Sequence, residues 1–203
     1  MMSSRLAAVV ATAMLLPLAG CYVQTNKNAG GKNDNVDIRT PLGSMSVKTD
    51  STAVAQRIGL PIYPGAVPEQ KKADDSGSAD VNMNFGPFHL RVLAQSYTTP
   101  DDTDKVRAFY KKSLAQYGDV IECKDKQPVN GSHARTGQGL TCDEGNHVKA
   151  KDKEFVTHDD DFELKAGSKS HQHVVGFQAR DGGTKFDLVV LELPGGDDSD
   201  QPN

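Results

Sequence analysis

The chain has 203 residues, and its 23 Lys and Arg against 27 Asp and Glu give a formal net charge of −4 at pH 7. A mildly acidic surface argues against nucleic-acid binding and against electrostatic adhesion to anionic lipid, because both need clustered positive charge. The length is sufficient for one domain of ordinary size with a hydrophobic core.

The first twenty residues have the three-part pattern of an export signal. Arg5 supplies a positive charge, an apolar stretch follows, and the small residues Ala19 and Gly20 precede a cleavage point. The apolar stretch of about fourteen residues is shorter than the roughly twenty that a transmembrane helix needs. Pro17 also disfavours one continuous helix. We therefore expect residues 1–20 to be a removable signal peptide.

The end of this segment reads Leu18-Ala19-Gly20-Cys21 and matches the lipobox of bacterial lipoprotein precursors at all four positions. The chain therefore resembles a bacterial lipoprotein. The resemblance implies that the Cys21 thiol receives a diacylglyceryl group and that a peptidase cuts before this residue. Two or more acyl chains hold a protein stably on a membrane, because each buried methylene contributes about 0.8 kcal/mol. Tyr22, in place of Asp, implies sorting to the outer membrane, facing the periplasm, in a Gram-negative host.

The two ends of the remaining chain have compositions that are typical of disorder. We expect residues 21–35 to be the lipidated Cys and a flexible tether, since apolar residues are almost missing after Val23. Such a tether of about fourteen residues would span roughly 20 Å. The acidic segment 195–203 is predicted to be a disordered tail. Residues 36–194 are predicted to form a single domain between them.

The first half of this domain alternates apolar and polar residues in the manner of β-hairpins. One hairpin is predicted over 36–49 and a second over 80–97, each around a turn that contains Pro and Gly. Between them, Asp50 or Ser51 is expected to cap a short helix that ends at Gly59.

The clearest helical pattern follows Pro100. Three Asp residues complement the positive start of a helix, and Gly118 supplies a stop. Between them lies an apolar stripe at helical spacing, made of Val106, Phe109, Tyr110, Leu114 and Tyr117. We expect one amphipathic helix over about 101–117, packed on one face of a sheet.

Two strands are predicted at 119–123 and 138–142, and antiparallel pairing would bring the thiols of Cys123 and Cys142 within bonding reach. If Cys21 carries lipid, these are the two remaining cysteines. An even pair in an exported chain predicts a disulfide bond. Closing a loop of about twenty residues would contribute roughly 3 kcal/mol to stability in the chain-entropy model.

A last hairpin is predicted over 174–193, around Asp181-Gly182-Gly183. Together the elements predict an α+β fold, a largely antiparallel sheet covered on one face by the 101–117 helix. The segments TPLGSMSVKT, GLPIYPGA, FYKKSLAQYG and GGTKFDLVVLEL are similar to uncharacterised bacterial exported proteins, and no known activity comes with that resemblance.

Three histidines are the candidates for a metal site. His171 and His173 would share one face of an extended segment, and His158 opens the acidic run His158-Asp159-Asp160-Asp161. Imidazole and carboxylate groups are zinc ligands, and three or four of them must converge. No HExxH pattern, paired CxxC or EF-hand loop fixes such convergence. We expect no metal or other cofactor, and a metal-assisted hydrolase that uses these residues is the alternative.

The remaining catalytic motifs that have a local sequence signature are missing, whereas a carboxylate pair for glycoside cleavage has no such signature and stays open. The sequence contains no GxSxG elbow, no SxxK pair and no phosphate-binding P-loop. We therefore predict a membrane-anchored lipoprotein of the cell envelope that acts through envelope protein partners and is not an enzyme. Capture of a small ligand on the sheet face is a further alternative, and it predicts a sizeable apolar cleft.

Overall fold

The computed structural model of the chain describes residues 22–27, 34–69, 77–129, 131, 133–143, 149–150, 153–154 and 162–194. The helices in these ranges are α1 (Ser51–Ile58) and α2 (Thr103–Leu114), and a 3₁₀ helix (Ala115–Tyr117) follows α2 directly. The strands in chain order are β1 (Tyr22–Lys27), β2 (Asp34–Thr40), β3 (Gly43–Lys48), β4 (Val67–Pro68), β5 (Ser78–Phe85), β6 (Phe88–Thr99), β7 (Ile121–Lys124), β8 (Gln127–Pro128), β9 (Lys149–Ala150), β10 (Lys153–Glu154), β11 (Phe162–Gly167), β12 (His171–Arg180) and β13 (Gly183–Glu192).

Eleven of these strands form one antiparallel sheet. Its order is β1-β2-β3-β5-β6-β13-β12-β11-β7-β8, with β4 paired to β6, while β9 and β10 pair with each other. The predicted largely antiparallel sheet is confirmed. The sheet dominates over the two short helices, so the predicted α+β class overstated the helical part. No helix in the described ranges is long and apolar enough to cross a membrane.

The short helix α1 is confirmed, together with its predicted ends. The Asp50 carboxylate accepts hydrogen bonds from the amides of Thr52 and Ala53 at 3.0 and 3.2 Å, which satisfies donors that the first turn leaves free. The helix ends at Gly59, whose φ of +73° is the left-handed conformation that favours glycine.

The second helix is shorter than the predicted 101–117 segment. It begins after Asp102, whose carboxylate accepts a hydrogen bond from the Lys105 amide at 3.0 Å. From Ala115 the chain tightens into the 3₁₀ helix, which is a common way to complete a last helical turn. Three residues of the predicted apolar stripe are fully buried: Val106, Tyr110 and Leu114.

Side chains from both helices and from the central strands form one hydrophobic cluster. The helices contribute Val54, Ile58, Val106, Tyr110 and Leu114, and the strands contribute Leu93, Tyr97, Leu164, Val175, Phe177, Phe186 and Leu188. Side chains alternate between the faces of a strand, and the register therefore places these strand residues on one face of the sheet. We refer to it as the helix side.

The part of the sheet from β1 to β6 has two faces of opposite character. One row of paired residues crosses it on the face away from the helix side: Val23, Ile38, Met45, Met83 and Leu90. The adjacent row lies on the helix side; it starts at Tyr22 and is otherwise polar: Arg39, Ser44, Asn84 and His89. Alternation along each strand separates the two sets.

The predicted partner of β7 is wrong. The sequence predicts that 119–123 pairs with 138–142, whereas β7 pairs with β11 on one side and β8 on the other. Segment 138–142 forms no strand, and a single bridge joins Arg135 to Thr141 there. Strand pairing is a long-range choice, and local alternation does not determine it.

The first strand lies inside the segment 21–35 that the sequence predicts to be a flexible tether. Tyr22–Lys27 pairs with β2 along its whole length. Strand pairing is made by backbone hydrogen bonds, so a polar sequence can form it without burying apolar side chains. Among the described residues, pairing in the sheet therefore begins at residue 22. Residues 1–21, including Cys21, and 195–203 lie outside the described residues.

Candidate anion-binding cleft

A cleft of about 390 Å³ lies on the helix side of the sheet, over β2, β3 and β5 and beside the end of α1. Neighbouring strands supply paired residues to it, since Asp37 pairs with Ser46, Ser46 with Asn82, and Asn82 with Arg91. Its wall is mainly charged, amide and hydroxyl groups, and the full lining is Asp37, Ile38, Arg39, Ser44, Met45, Ser46, Lys48, Arg57, Asp80, Asn82, Asn84 and Arg91.

Positive charge prevails in this cleft. Two carboxylates, of Asp37 and Asp80, face four cationic side chains, which are those of Arg39, Lys48, Arg57 and Arg91. The excess is two positive charges, on a chain whose formal net charge is −4. A concave surface with an excess of one sign of charge attracts ligands of the opposite charge.

Asp80 organises two of the four cations. It is 5% exposed and accepts a hydrogen bond from Nη1 of Arg57, which lies in the last turn of α1. Its other oxygen is 4.0 Å from Nε of Arg91, and Nη1 of Arg91 lies 3.4 Å from Oε1 of Glu192 on β13. A buried carboxylate needs such partners to offset its desolvation. The network fixes both guanidinium groups in the wall of the cleft.

The other two cations, Arg39 and Lys48, are exposed. Within the described part of the chain neither forms an ion pair, whereas Arg57 and Arg91 share carboxylates. Hydrogen bonds from arginine or lysine to an ionised oxygen are about twice as strong as neutral ones. Arg39 and Lys48 are therefore the side chains best able to bind an anionic group.

Two buried polar atoms of the cleft, Ser46 Oγ and Arg91 Nε, have no hydrogen-bond partner among the described residues. The 4.0 Å from Arg91 Nε to Asp80 is too long for a hydrogen bond. A buried polar group that lacks a partner costs about 1–3 kcal/mol. A ligand oxygen would serve as acceptor for both atoms, since a hydroxyl and a guanidinium N–H both donate.

The structure supports the predicted disulfide. Cys123 on β7 and Cys142 in the following loop are joined, with a Cα–Cα distance of 5.6 Å, and both side chains are buried. The bond lies beside the buried Lys165, whose ammonium donates to the Cys142 carbonyl at 3.2 Å and is 3.1 Å from Oε1 of Glu163. This cluster is separate from the cleft, because Lys165 and Arg91 lie on opposite faces of the sheet.

The metal candidates are not brought together in the described residues. His158 lies outside them. His171 and His173 share one face of β12, with His171 exposed near Ser170 and His173 stacked on Tyr117. In the ranges that the structure covers, no group of three or more His, Cys, Asp or Glu has a metal-binding arrangement.

The cleft is not among the sites that the sequence predicts. The strands are identified from their apolar positions, and the cleft is built from the polar positions between them, such as Asp37 and Arg39 or Asn82 and Asn84. The sequence does show that the positions between the apolar ones are polar. It does not show which strands lie side by side, and the cleft depends on that. The cleft on this face is also polar, whereas the small-ligand alternative predicted an apolar one.

Comparison of the chain with protein-family models, with curated proteins and with solved structures gives no match in any of the three.

Proposed function

We propose that this protein is an exported bacterial lipoprotein, held on a membrane of the cell envelope by lipid on Cys21, and that its folded body is a binding module rather than an enzyme. The supporting observation is the lipobox at the end of an export-signal pattern, followed in the next residue by the first strand of the sheet. Tyr22 after the Cys favours the outer membrane, facing the periplasm, in a Gram-negative host.

The ligand of this module is an anionic group, a carboxylate or a phosphate, bound in the cleft. Arg39 and Lys48 supply exposed charge, while Arg57 and Arg91 supply guanidinium groups oriented by Asp80. The planar guanidinium matches the oxygens of carboxylate and phosphate groups. The wall of the cleft has an excess of positive charge although the whole chain is acidic, and this observation favours an anionic ligand.

The anchor is tested by the Cys21→Ser variant, expressed as a full chain in a bacterial host with a labelled fatty acid. The unaltered chain is expected to be trimmed and labelled, and the variant to keep residues 1–20 and carry no label. Cys142→Ser is the control for loss of a cysteine outside the lipobox, since it opens the disulfide with Cys123 but should leave trimming and labelling intact. Normal trimming and labelling of Cys21→Ser would refute the anchor.

The cleft is tested by titrating the purified protein with inorganic phosphate and with citrate in a calorimeter. We expect saturable binding of at least one anion, and a loss of about tenfold in affinity, or about 1.4 kcal/mol, in the Arg39→Gln, Lys48→Gln double variant. Lys112→Gln is the control, since Lys112 is an exposed cation on α2 that does not line the cleft. No saturable binding, or an equal loss in the control, would contradict the assignment.

A further inference from the structure

The end of the sheet at which β1 begins also carries two of its turns. Tyr22 pairs with Arg39, one residue before the end of β2, so the β2–β3 turn lies at the same end as the start of β1. Gly43, the first residue after that turn, pairs with Phe85 at the end of β5, and Phe85 pairs with Phe88 across the β5–β6 turn. The start of the paired chain and both turns therefore lie side by side.

Large apolar side chains are exposed at this end. Leu42 is 84% exposed, Tyr22 57%, Phe85 43% and Phe88 39%. We call these four residues the apolar tip. An exposed apolar group of this kind is typical of a surface that contacts a partner or a membrane.

The tip is ordered rather than a loose loop. Thr40 Oγ1 accepts hydrogen bonds from the amides of Leu42 and Gly43 at 3.3 and 3.1 Å and donates to the Gly43 carbonyl at 3.0 Å. These bonds fix the turn that presents Leu42. Behind it, the partly buried apolar row continues on the face away from the helix side: Ile38, Met45, Met83 and Leu90.

The charge of the tip differs from that of the whole chain. The two turn segments, 38–45 and 83–89, contain Arg39 and His89 but no Asp or Glu, although acidic residues outnumber basic ones in the chain. The Glu192 carboxylate borders this end of the sheet, where it lies 3.6 Å from Nε2 of His89 and 3.4 Å from Nη1 of Arg91. The four tip side chains themselves carry no carboxylate, so they are not repelled by anionic headgroups and lose no carboxylate hydration on contact. Tyr, Phe and Leu are side chains that enter the membrane interface readily.

We propose that the apolar tip inserts into the interfacial region of the membrane that carries the anchor, so that the sheet stands end-on against the bilayer. The inference rests on the proposed lipid at Cys21. That residue is joined to Tyr22 by a peptide bond, with Cα atoms about 3.8 Å apart, so its acyl chains enter the bilayer beside the tip. The anchor supplies the affinity, and the tip fixes the orientation. Arg39, which pairs with Tyr22, then holds the mouth of the cleft close to the headgroups.

The test uses the absence of Trp from the chain, which makes any introduced Trp the sole reporter. Leu42→Trp puts the reporter in the tip, at an exposed turn position. Val67→Trp is the matched control, since Val67 is 58% exposed and apolar but pairs with Thr98. Thr98 lies ten residues along β6 from Phe88, so Val67 is roughly 33 Å from the apolar tip.

Both full chains are produced in a bacterial host, purified from its membranes and reconstituted in vesicles of phosphatidylethanolamine and phosphatidylglycerol with brominated acyl chains. Intact mass first establishes whether lipid is attached. For lipid-bearing protein we expect about half of the Leu42→Trp fluorescence to be quenched and about a tenth or less of the Val67→Trp fluorescence. Equal quenching at the two positions, or none, would overturn the tip inference alone. Protein without acyl groups would overturn the anchor, and the inference with it.

Discussion

The imidazole ring of His173 lies flat against the phenol ring of Tyr117, with ring centroids 3.6 Å apart and planes inclined by 12°. The Tyr117 hydroxyl donates to the Gly59 carbonyl at 2.8 Å, so the stack connects β12 to the ends of both helices. Burial lowers the pKa of His173, and the imidazole of His171 lowers it further, while the Glu192 carboxylate acts in the opposite direction.

A lowered pKa in the folded state predicts a pH dependence of stability with a definite sign. The unfolded chain binds the His173 proton more tightly, so this contribution to the free energy of unfolding is complete above pH 6.5, the ordinary value. It is lost as the pH falls from there towards the folded-state pKa. The His173→Phe variant keeps a ring on Tyr117 but cannot titrate. We expect its free energy of unfolding to change less with pH, between about pH 7.5 and 5.5, than that of the unaltered protein.

The measurement is urea unfolding at a series of pH values. His133→Gln is the control, because His133 is exposed in a loop and the variant should keep the slope of the unaltered protein. Identical slopes for the unaltered protein and His173→Phe would contradict the prediction.

The buried lysine of β11 gives a second prediction. Lys165 is 0% exposed and lies 3.1 Å from Glu163, so Lys165→Met removes a cation and a donor at nearly constant volume. Loss of one partner of a buried pair leaves the other charge desolvated with less compensation, and we expect a destabilisation of about 3 kcal/mol. Lys111→Met is the control. Lys111 is half exposed at 3.7 Å from Glu122, and the Glu122 carboxylate keeps Arg107 at 3.0 Å, so this variant should cost less than about 1 kcal/mol. Urea unfolding measures both variants. If Lys165→Met lowered the free energy of unfolding by as little as Lys111→Met, the prediction would be wrong.

The disulfide gives a third prediction. Cys123 and Cys142 are 19 positions apart, and opening a loop of that length should lower the free energy of unfolding by about 3 kcal/mol. Urea unfolding with and without reductant measures the loss. Peptide mapping without reductant should recover the two cysteines in one cross-linked species, and two thiols that alkylate freely would refute the bond.

Elements with local signals could be predicted from the sequence. The Asp50 cap and the Gly59 stop lie within one short segment and define α1, and the apolar stripe that includes Tyr110 defines α2. The hairpins are also local, since each pair of strands is joined by a short turn. Their predicted positions at 36–49, 80–97 and 174–193 overlap the observed strand pairs.

Elements that depend on distant partners could not be predicted. The sequence of β11 is FELKAG, and its charged residues do not indicate a buried strand. Glu163 and Lys165 are nevertheless buried there, and they form an ion pair with each other. The cleft depends on four strands lying side by side and on Arg57 reaching Asp80 from a helix. Sequence alternation gives the face of each side chain and leaves the neighbouring strand undetermined.

Lipid on Cys21 is the proposal from which the membrane orientation and the envelope role both follow. Intact-mass spectrometry of the full chain, produced in a bacterial host and extracted from its membranes with detergent, measures it directly. We predict the mass of residues 21–203 plus a diacylglyceryl group, with one further acyl chain in hosts that acylate the new amino terminus. A mass equal to unmodified residues 1–203, or to a trimmed chain without acyl groups, would contradict the proposal.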